Sequence, residues 1–139
     1  MEPDPEFLDH MFRITYGTAS RVFPHARALF CDDCFPVCSP DFLKDHPDTL
    51  DPEKIANLPW IDIDWGPAYS TVSRLSDWLI AQGLPIPAHK PTSVHSLSSS
   101  ALEAAANGQG IALAQSSFAS IDIELGRLEI GRASCRERV

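Results

Sequence analysis

Basic residues are scarce in this chain: 11 Lys and Arg stand against 19 Asp and Glu, for a formal net charge of −8. A nucleic-acid surface needs clustered cations to neutralise phosphates, and the few present are scattered, so this chain by itself is not expected to contact DNA or RNA. No stretch of about eighteen apolar residues occurs, which excludes a membrane-spanning helix. The opening residues, MEPDPE, are acidic and Pro-rich and lack the basic start and apolar core of a secretory signal. That leaves the cytoplasm as the expected compartment. The sequence also lacks a Gly-x-Ser-x-Gly elbow and a His-Glu-x-x-His pair, and Gly108-Gln109-Gly110 follows a helical stretch where a dinucleotide loop must follow a strand. Internal repeats and low-complexity segments are absent too.

What is present suits one globular domain: 139 residues, 44% of them apolar. The chain is organised around 98–113, SSSALEAAANGQGIAL. Serines favour a helix start, and Ala, Leu and Glu are inexpensive inside a helix. Asn107 and Gly108 then accept the left-handed conformation of a helix exit, and Ile111 to Leu113 form a short buried strand. The start of such a helix offers unpaired N–H groups and the positive dipole end, a seat for a carboxylate. Capping alone is the plainer role for the serines.

Periodicity places further elements on either side. Residues 5–11 form a short helix, 12–16 alternate as a half-buried strand ending at Gly17, and 28–30 and 35–38 are strands with Asp32-Asp33 as a turn. Ser39-Pro40 and Asp51-Pro52-Glu53 each open a short helix, through Leu43 and about Leu58. Residues 60–64 alternate as a strand. Ser70 or Thr71 caps a helix with Val72, Leu75, Trp78 and Leu79 on one stripe, closed by Gly83. A Pro-rich loop over 84–91, a strand over 92–96 and a helix over 116–125 complete the pattern. Alternating strands and helices predict an α/β fold with a mainly parallel sheet covered on both faces.

Several constellations invite chemistry. Cys31-x2-Cys34-x3-Cys38 has a spacing that thiolates use to share zinc or an iron-sulfur cluster, but no second Cys/His pair accompanies it and two of the three sit in or beside an apolar strand, so they are read as buried thiols. His95 and Ser98 suggest a base and a nucleophile, without an identifiable third group to orient them. Asp62 and Asp64 share one side of their strand and are read as a solvated face. No metal, cofactor or catalytic residue is expected from these patterns.

Four pieces, in order, carry a family likeness: Arg13-Ile14-Thr15-Tyr16-Gly17, Pro36-Val37-Cys38-Ser39-Pro40, Trp78-Leu79 with Gly83, and the central segment down to Gly126-Arg127-Leu128. Together they resemble the effector-binding domain of LysR-type transcriptional regulators, in the subgroup resembling the glycine-cleavage and β-lactamase regulators. The resemblance implies a type II periplasmic-binding-protein-like fold of two α/β lobes with a small effector in the cleft between them. On it, 1–38 is a remnant of lobe one with the crossover strand, and 39–128 is a nearly complete lobe two. It further implies a regulator that binds DNA through a winged helix-turn-helix outside this chain, as a homo-oligomer, and no enzyme activity. The site residues it carries over are Tyr16 and Gly17 at the mouth of the lobe-one strand and Ser98 and Ser99 at the lobe-two helix. His95 and Ser96 join them by proximity in sequence. The serines would donate to a carboxylate or carbonyl, and Tyr16 would form an aromatic wall. A stand-alone solute-binding module of the same fold is the alternative, and a small Ser or Cys enzyme a more distant one.

The last nine residues, GRASCRERV, break with the acidic chain before them; without their three Arg and one Glu the formal charge is −10. With Glu129 and Ile130 they read as the in-frame translation of a common short-read sequencing adapter, so 129–139 is expected to be a non-native tail. A disordered basic tail is the alternative.

Overall fold

The structure, a computed structural model, describes residues 32–67, 74–130 and 137–138. The expected helix over 5–11, the strands over 12–16 and 28–30, Cys31 and the cap at Ser70 or Thr71 lie outside the described residues, as do Tyr16 and Gly17.

The central strand β1 (Asp33–Cys38) is apolar along most of its length because it is covered on both sides; only Asp33 is partly exposed. It starts two residues earlier than its apolar run suggests. Asp32-Asp33 is therefore not a turn: Asp33 opens the strand, and the carboxylate of Asp32 has partners described below. Helix α1 (Pro40–Asp45) follows as expected, with Ser39 Oγ accepting the Phe42 N–H at 3.0 Å and Pro at the first position. The segment after Asp51 forms a 3₁₀ helix, Pro52–Asn57, with the Asp51 carboxylate accepting the Glu53 N–H at 3.1 Å.

Next come β2 (Ile61–Ile63), α2 (Leu75–Ala81), β3 (Ser93–His95), α3 (Ser98–Ala106), β4 (Ala112–Gln115), α4 (Ser116–Glu124) and β5 (Glu129–Ile130), and β6 (Glu137–Arg138) closes the described chain. Gly83 leaves α2 with a φ of 69°, donating to Ile80 O while Leu84 donates to Leu79 O, the left-handed exit expected of that glycine. β2 and β3 pair in parallel, and β4 joins them through a parallel bridge between Trp60 and Ile111. β1 runs antiparallel to β4 on one edge and to β5 and β6 on the other. The pairings run β5-β1-β4-β2-β3.

The sheet is thus mixed, where alternation alone predicts a mainly parallel one. Alternation fixes direction only across helical crossovers. β2-α2-β3 and β3-α3-β4 obey it, whereas β1 enters the sheet from the opposite end. Backbone pairing is indifferent to side-chain identity, so the ladders of β5 and β6 do not bear on the origin of residues 129–139.

The alternation of β1 and β4 splits the interior into two cores. One face carries Phe42, Trp60, Leu75, Trp78, Leu79 and Leu113 with the thiols of Cys34 and Cys38. The other carries Phe35, Val37, Ile61 and Ile63 beneath Ala101, Ala104 and Ala105 of α3, with Ala112 and Ala114 of β4. The small side chains let α3 lie close on the sheet. Gly110 is held there too: at a φ of 156°, a Cβ would come within 2.9 Å of Pro59 O. Cys34 and Cys38 are buried thiols, and burial, helped by the charge of Glu129, pushes the Cys38 thiol up to about 11.

Candidate functional site

β2, β3 and β4 run the same way, so their carboxyl ends lie at one end of the sheet, together with the amino ends of α3 and α4. In open α/β sheets this end is where ligands bind.

The helix starts differ in what meets the N–H groups of the first turn, and only α1 and α4 have a side-chain acceptor for them among the described residues. In α1 the acceptor is Ser39 Oγ. In α2 the Asp77 carboxylate reaches back to the N–H of the cap residue, Arg74, at 3.0 Å, and the cap offers the first turn no side-chain bond. In α4 the acceptor comes from far along the chain: Asp32 accepts from Ser116 Oγ at 2.6 Å, from Ser117 N–H at 3.0 Å and from Ser117 Oγ. Burial works to raise the pKa of Asp32, but hydrogen bonds from Ser116, from Ser117 and from the backbone of Ser117 and Asp33 outweigh it and hold the carboxyl below its ordinary value.

Helix α3 differs. Its N-cap is Leu97, which offers no side-chain acceptor, and its first turn contains no acid. Among the described residues nothing accepts from the N–H groups of Ser98, Ser99 and Ser100. The capping role that the sequence allows these serines is not the one they take: they occupy the first three helical positions, after the cap. No side chain among the described residues compensates the N-terminal charge of the α3 dipole.

The three serines are not equivalent. Ser98 is 9% exposed, and its Oγ accepts from Trp65 Nε1 at 3.1 Å. Ser100 Oγ donates to Leu97 O at 3.0 Å and lies 3.0 Å from His95 Nδ1. Because the one hydroxyl hydrogen of Ser100 goes to Leu97, its oxygen accepts from His95 Nδ1–H, and His95 Nε2 pairs with Ser93 Oγ at 2.9 Å. His95 therefore braces β3 against α3 instead of activating Ser98; the base and nucleophile suggested by the sequence bond to other groups. Ser99 and Ser96 are exposed at the same end.

Asp62 is a correction to the sequence reading. It is 7% exposed, not solvated, and pairs with Arg74, whose Nε lies 3.2 Å from Oδ1 and whose Nη2 also contacts Oδ2. Arg74 Nη1 is 4.0 Å from the exposed Asp64. Its hydrogen bond to Asp62, above all, raises the Arg74 pKa. The sequence conceals the pair because β2 and the start of α2 are separated by twelve positions and only the fold brings them together. Trp65 was missed for the same reason; its partner Ser98 is 33 positions away. Among the described residues no cluster of three His, Cys, Asp or Glu side chains can hold a metal, and no helix is long and apolar enough to cross a membrane.

A mixed sheet with helices on both faces, strand carboxyl ends gathered at one end and an open helix start among them defines a lobe of the periplasmic-binding-protein-like class. Solved structures share this fold: the regulatory domain of CrgA, a LysR-type transcriptional regulator from Neisseria meningitidis (24% identity, 78% of this chain and 50% of that one, TM-score 0.60), and the effector domain of the transcriptional regulator AmpR of Pseudomonas aeruginosa (19%, 81% and 50%, TM-score 0.62). The regulatory domain of AphB from Vibrio vulnificus is similar as well (15%, 81% and 55%, TM-score 0.58). The chain spans about half the length of these domains. No curated protein matches this sequence. The family model described as LysR substrate binding domain matches residues 9–134, and the chain belongs to that family.

Proposed function

We propose that this chain is the effector-sensing part of a LysR-type transcriptional regulator and that it binds a small acid at the open start of α3. One observation carries the reading: α3 and α4 both open with serines at the ligand-binding end of the sheet, and where Asp32 serves the α4 start, the α3 start has no side-chain acceptor among the described residues. Ser98 and Ser99 donate to the acid alongside the helix N–H groups, with Ser96 and His95 at the rim. Tyr16 and Gly17, outside the described residues, complete the cleft from lobe one. Residues 1–38 belong to that lobe and 39–128 to lobe two, while 129–139 are translated adapter.

On this reading the chain binds without transforming its ligand and is cytoplasmic. An effector that prefers one arrangement of the lobes shifts their population, and a DNA-binding part elsewhere in a homo-oligomeric protein reads out the shift. The glycine-cleavage-like subgroup belongs to the same proposal. The test is a panel of small carboxylic acids paired with their methyl esters, followed by amide NMR. Acids, and not esters, should shift the Ser98, Ser99 and Ser100 amides saturably. A panel that shifts only amides elsewhere, or that treats ester and acid alike, rejects the reading.

A further inference from the structure

We infer that Trp65 is a positioning residue that turns Ser98 into a hydrogen-bond donor and thereby makes the α3 site select ligand groups that accept. The inference rests on the reading of α3 as the binding site and deepens it, because it states which chemistry the site refuses.

An indole N–H can only donate. Its bond to Ser98 therefore occupies a lone pair of Oγ and leaves the hydroxyl hydrogen to point elsewhere. Among the described residues that hydrogen has no acceptor, although Ser98 is about nine-tenths buried. A buried hydroxyl with its hydrogen unmet gains most from a group that brings a lone pair. Accepting from the indole also polarises the hydroxyl and strengthens it as a donor. The backbone N–H groups beside it are donors as well. A carboxylate, phosphate or sulfate oxygen satisfies all of them, while an ammonium or amide N–H would meet donors only.

Trp65 is held for this task. Its ring packs against the alanine-rich core beneath α3, and the chain turns directly after it, where Gly66 has a φ of 96° and donates to Asp64 Oδ1 at 3.0 Å. Ser100 cannot substitute for Ser98, since its hydrogen is committed to Leu97 O.

Inorganic sulfate titrated into the full 139-residue chain, followed at the Ser98 to Ser100 amides, tests this with Trp65→Phe, Ser98→Ala and the double variant. Trp65→Phe keeps a ring and removes only the N–H. Either single substitution should weaken sulfate about fivefold, the size of one ordered hydrogen bond, and the double variant should be no weaker than Ser98→Ala alone. Losses that add would show Trp65 acting apart from Ser98 and overturn the inference, as would a Trp65→Phe chain with unchanged sulfate affinity. If wild-type sulfate leaves these amides unmoved, the α3 reading itself falls, and the inference with it. A Trp65→Phe variant that merely destabilises the fold would lower its melting temperature without producing the non-additive pattern.

Discussion

Helices α3 and α4 make a controlled comparison inside one molecule. Both are nine residues long, both begin with consecutive serines, and both start at the same end of the sheet. Their dipoles are therefore alike. What differs is the occupant of the first turn. At α4 the chain supplies its own carboxylate, Asp32, held by the hydroxyls of Ser116 and Ser117 and by a backbone N–H. At α3 the corresponding groups face no acceptor among the described residues. The internal carboxylate shows what a serine-headed helix start can hold, and the proposed reading puts an external acid in the same position at α3. A closed terminus contributes to stability; an open one forgoes that stability and, on the proposed reading, is free to bind.

The largest expected effect comes from opening the closed terminus. Asp32→Ala removes three hydrogen bonds to a buried charge and should cost about 3 kcal/mol in denaturant unfolding. Added sulfate should recover part of that loss by filling the seat. A cost below about 0.5 kcal/mol would mean that the α4 terminus is as well served by water, and the comparison would lose its reference.

Closing the open terminus is the converse. Leu97, 61% exposed, is the N-cap of α3, and Leu97→Asp places an acceptor there. Stability should rise by about 1 kcal/mol, and binding of sulfate or of any acid ligand at Ser98 to Ser100 should disappear. A stabilised variant that still binds acid at those amides would separate the site from the helix start.

Acidity gives a smaller handle on the same contrast. The pKa of Asp32 is lowered in the folded chain, so its contribution to stability is complete above the unfolded value and is lost as pH falls through the folded one. The loss should begin near pH 4, the ordinary carboxylate range, and continue below it. In Asp32→Asn this component of the acid transition should vanish; an unaltered transition would assign the acid sensitivity to other carboxylates. The smallest effect is at Ser99, exposed and free of structural duty. Ser99→Ala should leave unfolding within about 0.5 kcal/mol of wild type while weakening acid binding severalfold, and a titration that shows no weakening removes Ser99 from the site.

Much of the fold was legible beforehand. Ser39-Pro40, Gly83 and Gly126 mark element boundaries through local backbone preferences, and the structure places α1, the exit of α2 and the end of α4 accordingly. The Leu75, Trp78 and Leu79 stripe is buried as its spacing demands. The site was legible only in outline. Ser98 and Ser99 could be singled out, but whether they cap the helix or stand beyond its cap depends on where the first helical turn begins, and one residue decides it.

The α/β alternation, the apolar strands, the helix breaks and the scarcity of basic residues are written into the chain, because each follows from contacts within a few residues or from composition. The folded arrangement is what sets β1 antiparallel to β4, joins Asp62 to Arg74, brings Trp65 to Ser98 and lets Asp32 close α4 from more than eighty positions away. These are pairings between side chains or strands that no local preference encodes. They arise when the sheet folds its carboxyl ends together, and they separate a helix start supplied with its own carboxylate from one that has no such acceptor among the described residues.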